Sequence, residues 1–260
     1  MEAMQKIKCL TIEDSNFPDR LRKLSGMPKK LYYIGNLPDP KKPAAAVVGA
    51  RMCSPYGRCQ AFKYARTMAS YGVQIISGMA RGIDAEGHKG ALDTDTPTFA
   101  VLGSGVDVCY PNSNRWLYQR ILEKGGGIIS ELPPGSPPVN WAFPARNRII
   151  SGLSDAVLVV EAKEQSGSLI TANFALEHGH SVYAYGVLSG SFKYARISGY
   201  VSNDLVDSAI SLHKTKQRGT RKDYVKKHLA MISMTLGILY ARTTGYHITD
   251  SLKMTLIKEW

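Results

Sequence analysis

From residue 44 onward the sequence alternates short β-branched apolar runs with longer stretches of helical periodicity. The runs fall at 44–48, 73–77, 98–102, 127–130, 156–160 and 181–185. They are apolar at successive positions, not alternate ones, so neither face suits contact with water. Strands of that kind are buried on both sides in a parallel sheet. Helical patterns lie between them, at 56–71, 83–92, 114–124 and 168–178. Parallel neighbours need crossovers, and helices supply them. The alternation therefore predicts an α/β fold with a doubly wound, mostly parallel sheet. The strand order is not encoded in this pattern.

The flanks differ. Residues 16–37, NFPDRLRKLSGMPKKLYYIGNL, contain a short helix, a Pro-marked turn and an extended apolar piece. Residues 1–43 are thus expected to form an N-terminal extension packed on the sheet, and 44–212 the main domain. Residues 214–222, KTKQRGTRK, read as a basic linker. Residues 223–240 have a helical pattern, so 213–260 is expected to be a basic linker and helical tail, a short basic C-terminal extension.

Charge narrows the class of partner. Thirty-three Lys and Arg against 21 Asp and Glu give +12, which favours an anionic partner and nucleic acid first. Residues 213–260 hold ten basic and three acidic residues, so over half the excess sits in the last 48 positions. A hydrophobic content of 44% argues against disorder. No run reaches the about 18 apolar residues of a membrane helix, and MEAMQKIKCLTIED lacks a secretory core. A cytoplasmic chain without membrane contact is expected. Cys9, Cys53, Cys59 and Cys109 show no metal-ligand spacing and read as reduced thiols.

Ligands of such sheets bind beyond the carboxyl ends of the strands, where helix N-termini point. Unusual residues gather there. After the first run, Gly49 permits a sharp turn, Ser54-Pro55 make an N-cap and first helical position, and Arg51 can fork onto a phosphate. An ordinary strand–turn–helix joint with a solvated Arg is the alternative. The segment is neither GxGxxG nor a P-loop. After the second run, Ser77-Gly78 and the small residues that follow let a ligand approach the backbone. Asp84 and His88 share a helix face, a conceivable catalytic or metal pair, but a structural role near a helix start is the stronger reading. After the third run come Gly103-Ser104-Gly105 and Tyr110-Pro111-Asn112-Ser113-Asn114-Arg115. After the fifth, Ser166, Gly167 and Ser168 offer N–H and hydroxyl donors at a helix N-terminus, for an anion or for plain capping. Phe143-Pro144-Ala145-Arg146-Asn147-Arg148 sets an aromatic among basic residues. Base stacking with phosphate contact needs that combination; a core-closing or helix-capping segment is the alternative.

Taken in order, VVGAR…SPYG, ISGMARGIDAEGHKGAL, FAVLGSGVDVCYPNSN, IISELPPG, FPARNRIISGLSDAVLVVEA and SGSLITANFALEHGHSVYA closely resemble the DNA-processing protein A family, DprA or Smf. The resemblance spans about 17–209. It implies an extended Rossmann domain that binds single-stranded DNA without a cofactor and without catalysis. It also implies protection of incoming strands, loading of a RecA-type recombinase during natural transformation, and a homodimer. Carried over by position, the family's DNA pocket falls on Arg51 in its turn with Gly49 and Ser54, on Ser77-Gly78, on Arg115, on Phe143 with Arg146, Asn147 and Arg148, and on Lys163 with Ser166-Gly167-Ser168.

The chain departs from the family pattern at Gly87, where Ala is usual and a mid-helix Gly costs about 1 kcal/mol. It departs again at Tyr185-Gly186 and across 199–209, where Ser208 stands for Gly at the end associated with dimerisation. The competing readings are a nucleotide-binding sensor and a hydrolase that releases a base from nucleoside monophosphates. Such hydrolases carry PGGxGTxxE; the corresponding SGSLITANFALE lacks the paired Gly and the Glu three residues after Thr.

Overall fold

The computed structural model describes residues 6–162, 166–185 and 199–200. Its strands are β1 Lys8–Thr11, β2 Lys30–Gly35, β3 Ala44–Gly49, β4 Gln74–Ser77, β5 Thr98–Val101, β6 Gly127–Ser130, β7 Ala156–Val160, β8 Ser181–Tyr185 and β9 Gly199–Tyr200. Its helices are α1 Asp19–Arg22, α2 Pro55–Ser70, α3 Ile83–Leu92, α4 Arg115–Glu123, α5 Ala142–Gly152 and α6 Gly167–Glu177. The nine strands form one sheet in the order β1-β2-β6-β5-β4-β3-β7-β8-β9. All pairs from β6 to β9 are parallel, and β1-β2 and β2-β6 are antiparallel. The α/β, mostly parallel fold expected from the alternation is borne out. The tail at 213–260, with its 223–240 helix, lies outside the described residues, as do Gly186 and Ser208.

The unbroken apolar runs have a direct explanation in β3. Ala45 and Val47 point to one face, against Ala61, Tyr64, Ala65 and Met68 of α2. Ala44, Ala46 and Val48 point to the other, against Ile149 and Ile150 of α5 and Ala172 and Ala175 of α6. With helices on both sides, successive positions are all buried, and a period-two pattern has no reason to appear. Gly87 of α3 lies on the same strand: a Cβ there would sit 3.1 Å from the Cβ and Cγ1 of Val47. The glycine's cost in helix propensity therefore comes with a close helix–strand contact.

Within the N-terminal extension, residues 8–11 and 30–35 are strands of the sheet itself, and the segment between them packs on its face. β2 pairs with β6, and β1 covers β2 as a second antiparallel strand. Their connection carries Phe17 and Leu21, both buried against the α5 side of the sheet. Arg20 joins this segment to the start of β7 through Asp155, at 2.8 Å.

The strand order places the switch point between β3 and β7. From β3 the chain winds outward through β4, β5 and β6; it then returns through α5 to β7 on the opposite side of β3. Where two neighbouring strands send their following helices to opposite faces, a crevice opens beyond their carboxyl ends.

Candidate nucleic-acid interface

A cavity of about 180 Å³ occupies that crevice. Gly49 and Arg51 enter it from the end of β3, Phe143, Arg146 and Asn147 from α5, and Ser166, Gly167 and Ser168 from the start of α6. Eight of the expected site residues thus meet at one place, although they come from three separated stretches of chain.

The turn after β3 is set by close approach. A Cβ on Gly49 would overlap the Val160 carbonyl oxygen at the end of β7. Ser54 is the N-cap of α2, its Oγ accepting from the Gly57 N–H at 3.0 Å, and Pro55 is the first helical residue. Ser54 does not face the cavity. It is bound instead by Glu161, whose carboxylate accepts from the Ser54 N–H at 2.8 and 3.0 Å and from its hydroxyl at 2.7 Å. Glu161 follows β7 in the left-handed region, at φ 50°. A carboxylate of the protein's own thus fills the N-terminus of α2, where a nucleotide phosphate binds in many doubly wound folds.

Arg51 is exposed, and its guanidinium carbon lies 5.5 Å from the centroid of the Phe143 ring. Among the described residues no carboxylate pairs with it. It is a cation with its hydrogen-bonding fork available at the rim of the cavity.

Arg146 is the opposite case. It is buried and donates from Nη1 to the carbonyls of Gly78 at 2.6 Å and of Val101, and from Nε to Asn147 Oδ1 at 3.1 Å. Burial draws it down to about 10, eased by the charge of Asp84. Gly78 is required here: a Cβ would collide with the guanidinium carbon and both terminal nitrogens. Asp84 is buried beside it and accepts from the N–H groups of Gly78 at 3.2 Å and Ala80 at 3.4 Å. Burial pushes its carboxyl upward despite Arg146. His88, one turn on, binds Thr98 Oγ1 through Nδ1 at 2.8 Å. Asp84 and His88 thus bind separate partners, and among the described residues no group of three His, Cys, Asp or Glu could hold a metal.

Asn147 donates from Nδ2 to the Gly167 carbonyl at 3.0 Å, tying α5 to the first turn of α6. Ser166 caps α6, and its hydroxyl lies 2.7 Å from that of Ser168. Gly167 is exposed, with nothing near where a Cβ would point. The α6 N-terminus, unlike that of α2, opens onto the cavity.

The remaining expected residues lie apart from the cavity. Ser77 is buried and donates to the Val47 carbonyl at 2.6 Å. Arg115 is exposed at the start of α4. Arg148 faces away on α5, held by Glu131. Lys163 lies outside the described residues. The 143–148 segment is a helical turn, not an exposed loop: Phe143 is half-buried and Arg146 and Asn147 are buried. Sequence reasoning passed over Glu161 as a site element, because nothing in its spacing signals that it folds back onto Ser54.

Residues 8–218 match the family described as DNA recombination-mediator protein A. The chain belongs to that family. Protein Smf of Escherichia coli is 45% identical over 172 residues, which is 66% of this chain and 46% of that protein. DNA processing protein DprA of Streptococcus pneumoniae is 43% identical over 180 residues, 69% of this chain and 63% of that protein. The crystal structure of the Streptococcus pneumoniae protein superposes with a TM-score of 0.65 at 41% identity, covering 73% of this chain and 65% of that one. DNA processing protein A of Helicobacter pylori, whose structure describes a single-stranded DNA binding mode, gives 0.63 at 26% identity, covering 88% and 99%. The chain spans about half the length of the curated relatives it matches. No helix among the described residues is long and apolar enough to cross a membrane.

Proposed function

We propose that the chain binds single-stranded DNA in the cavity at the β3–β7 switch point, without catalysis, and passes the strand to a RecA-type recombinase in the cytoplasm. The observation that carries this reading is the pairing of Arg51, exposed and without a carboxylate partner among the described residues, with the Phe143 ring beside the open N-terminus of α6. An unpaired guanidinium and a helix N-terminus supply phosphate contacts, and aromatic side chains supply stacking for bases that are not already paired. The family match and the Helicobacter pylori relative support DNA as the ligand. Recombination mediation is the family's description, and the recombinase and the homodimer rest on the resemblance.

Glu161 argues against the mononucleotide alternatives. Its carboxylate already satisfies the α2 N-terminus, so a phosphate there would meet a like charge. Residues 214–227, with seven Lys or Arg against one acidic residue, add attraction to any phosphate backbone and read nothing from it.

Fluorescence anisotropy with labelled single- and double-stranded oligonucleotides at matched salt tests the reading. Tighter binding of the single strand is expected. Equal affinity for the two, or release of free base from nucleoside monophosphates, would overturn it.

A further inference from the structure

The Phe143 ring is partly covered by its neighbours, so it offers a base less surface than Tyr110 does. Arg51 lies over its ring, and Tyr110 sits against it at 5.4 Å between centroids with the planes 33° apart. At its Cδ1 the ring abuts Gly103, where a Cβ would be 2.8 Å away. Phe143 is accordingly half-buried, whereas Tyr110 keeps 46% of its surface exposed.

Tyr110 is also held firmly. Its loop follows β5 and is pinned at several points. Ser104 Oγ donates to the Val108 carbonyl at 2.8 Å, and Ser130 Oγ donates to the Ser104 carbonyl at 2.7 Å. Asp107 accepts from the Gly135 N–H at 2.8 Å. Asn114 Nδ2, just beyond, donates to the Met79 carbonyl at 2.8 Å. An exposed aromatic on a braced loop loses little freedom when something flat covers it. Arg115 follows at the start of α4, exposed to solvent.

We infer that Tyr110 is a stacking platform for one unstacked nucleobase, with Phe143 as the wedge that props it, so that the strand leaves the cavity over Tyr110 toward Arg115. This rests on the single-strand reading above and adds to it the residue that touches the base. Stacking on an aromatic face tolerates any base, so the platform selects unpaired strands without selecting sequence.

The test compares the full chain with Tyr110→Ala and Tyr110→Phe on two labelled strands of equal length, oligothymidylate and an abasic deoxyribose-phosphate strand. Tyr110→Ala should weaken oligothymidylate binding about tenfold, within the range set by about 1–3 kcal/mol per stacked base. Tyr110→Phe should keep the wild-type affinity, and all three proteins should bind the abasic strand alike. Unchanged oligothymidylate affinity in Tyr110→Ala would overturn the platform, and so would an equal loss on both strands, which marks a folding defect or a backbone contact. Failure of the wild-type chain to bind either strand would instead defeat the functional reading on which the platform rests.

Discussion

Arg148 and Glu131 meet as a two-pronged ion pair, Nη1 to Oε1 at 2.7 Å and Nη2 to Oε2 at 2.6 Å. The Arg148 Nε donates to the Gly26 carbonyl at 2.7 Å, so one side chain joins α5, the segment after β6 and the N-terminal segment. Arg51, about a hundred positions earlier, has no such partner among the described residues. Two arginines that look alike in the sequence are thus set for different tasks.

The consequence is a split between two measurements. Arg51→Ala should weaken single-strand binding and lower the slope of log affinity against log salt by about 0.7, the share of one phosphate contact. Arg148→Ala should leave that slope unchanged and lower stability by about 1–2 kcal/mol, since the pair is four-fifths buried and its loss strands Glu131. Salt-dependent anisotropy and urea unfolding read the two effects. Equal slope changes in both variants would return Arg148 to the DNA surface.

Gly78→Ala should be costly although the added group is one methyl. The Cβ would fall on the Arg146 guanidinium, which is fixed by the Gly78 and Val101 carbonyls and cannot swing away. Overpacking of this kind costs about 1–3 kcal/mol, and displaced Arg146 donors add to it. The urea midpoint should drop with the slope of the transition unchanged. A wild-type midpoint would show that Arg146 has room the geometry denies it.

His88 should set part of the acid sensitivity. Burial, and after it the Arg146 charge, brings its pKa down from 6.5 to about 3. The folded chain then keeps His88 neutral while the unfolded chain takes up a proton below 6.5. Stability should therefore fall as pH falls from about 6.5 toward 3, by about 1.36 kcal/mol per pH unit from this residue. His178, lowered by its own burial, acts in the same direction. Asp84, raised by burial, acts in the opposite one, so the diagnostic is the difference between proteins. His88→Gln should show a flatter decline between pH 6 and 4.5 in urea unfolding. Parallel declines would mean that His88 is protonated in the folded state.

The sheet was legible in the sequence because burial on both faces leaves a mark that needs no tertiary knowledge. Every run from 44 to 185 became a strand, displaced by a residue or so at its ends. α5 left a weaker mark. Its buried face includes Arg146, Asn147 and Ser151, and polar residues in the interior erase the apolar stripe that marks a helix. The same reason hid the difference between Arg146 and Arg148: opposite sides of one helical turn face a cavity floor and a carboxylate, and spacing alone assigns neither. Within the extension at 1–43, the antiparallel pairing of β2 with β6 left no mark, since it depends on which strand ends at the sheet's edge. Strand order is what the sequence left open. Tyr110 was visible within its motif, but its ring contact with Phe143 joins positions 33 residues apart on different elements.

Glu161 offers the last test, because it fills a site that an anion could otherwise take. Its carboxylate satisfies the Ser54 N–H and hydroxyl at the positive end of α2. Glu161→Ala keeps the left-handed backbone position at φ 50° occupied by a residue with a Cβ, so the backbone strain stays comparable and the carboxylate alone is lost. Losing a helix-end charge and its hydrogen bonds should cost about 1–2 kcal/mol. At about 2–4 °C per kcal/mol for a chain of this size, the melting temperature should drop by several degrees. The vacated N-terminus should then accept inorganic phosphate, because its N–H groups and dipole still favour an anion. Millimolar phosphate, against chloride at equal ionic strength, should recover part of the lost melting temperature in Glu161→Ala and change the wild type less. If phosphate stabilises both proteins equally, Glu161 is not standing where a phosphate would bind, and it does not exclude mononucleotides from α2.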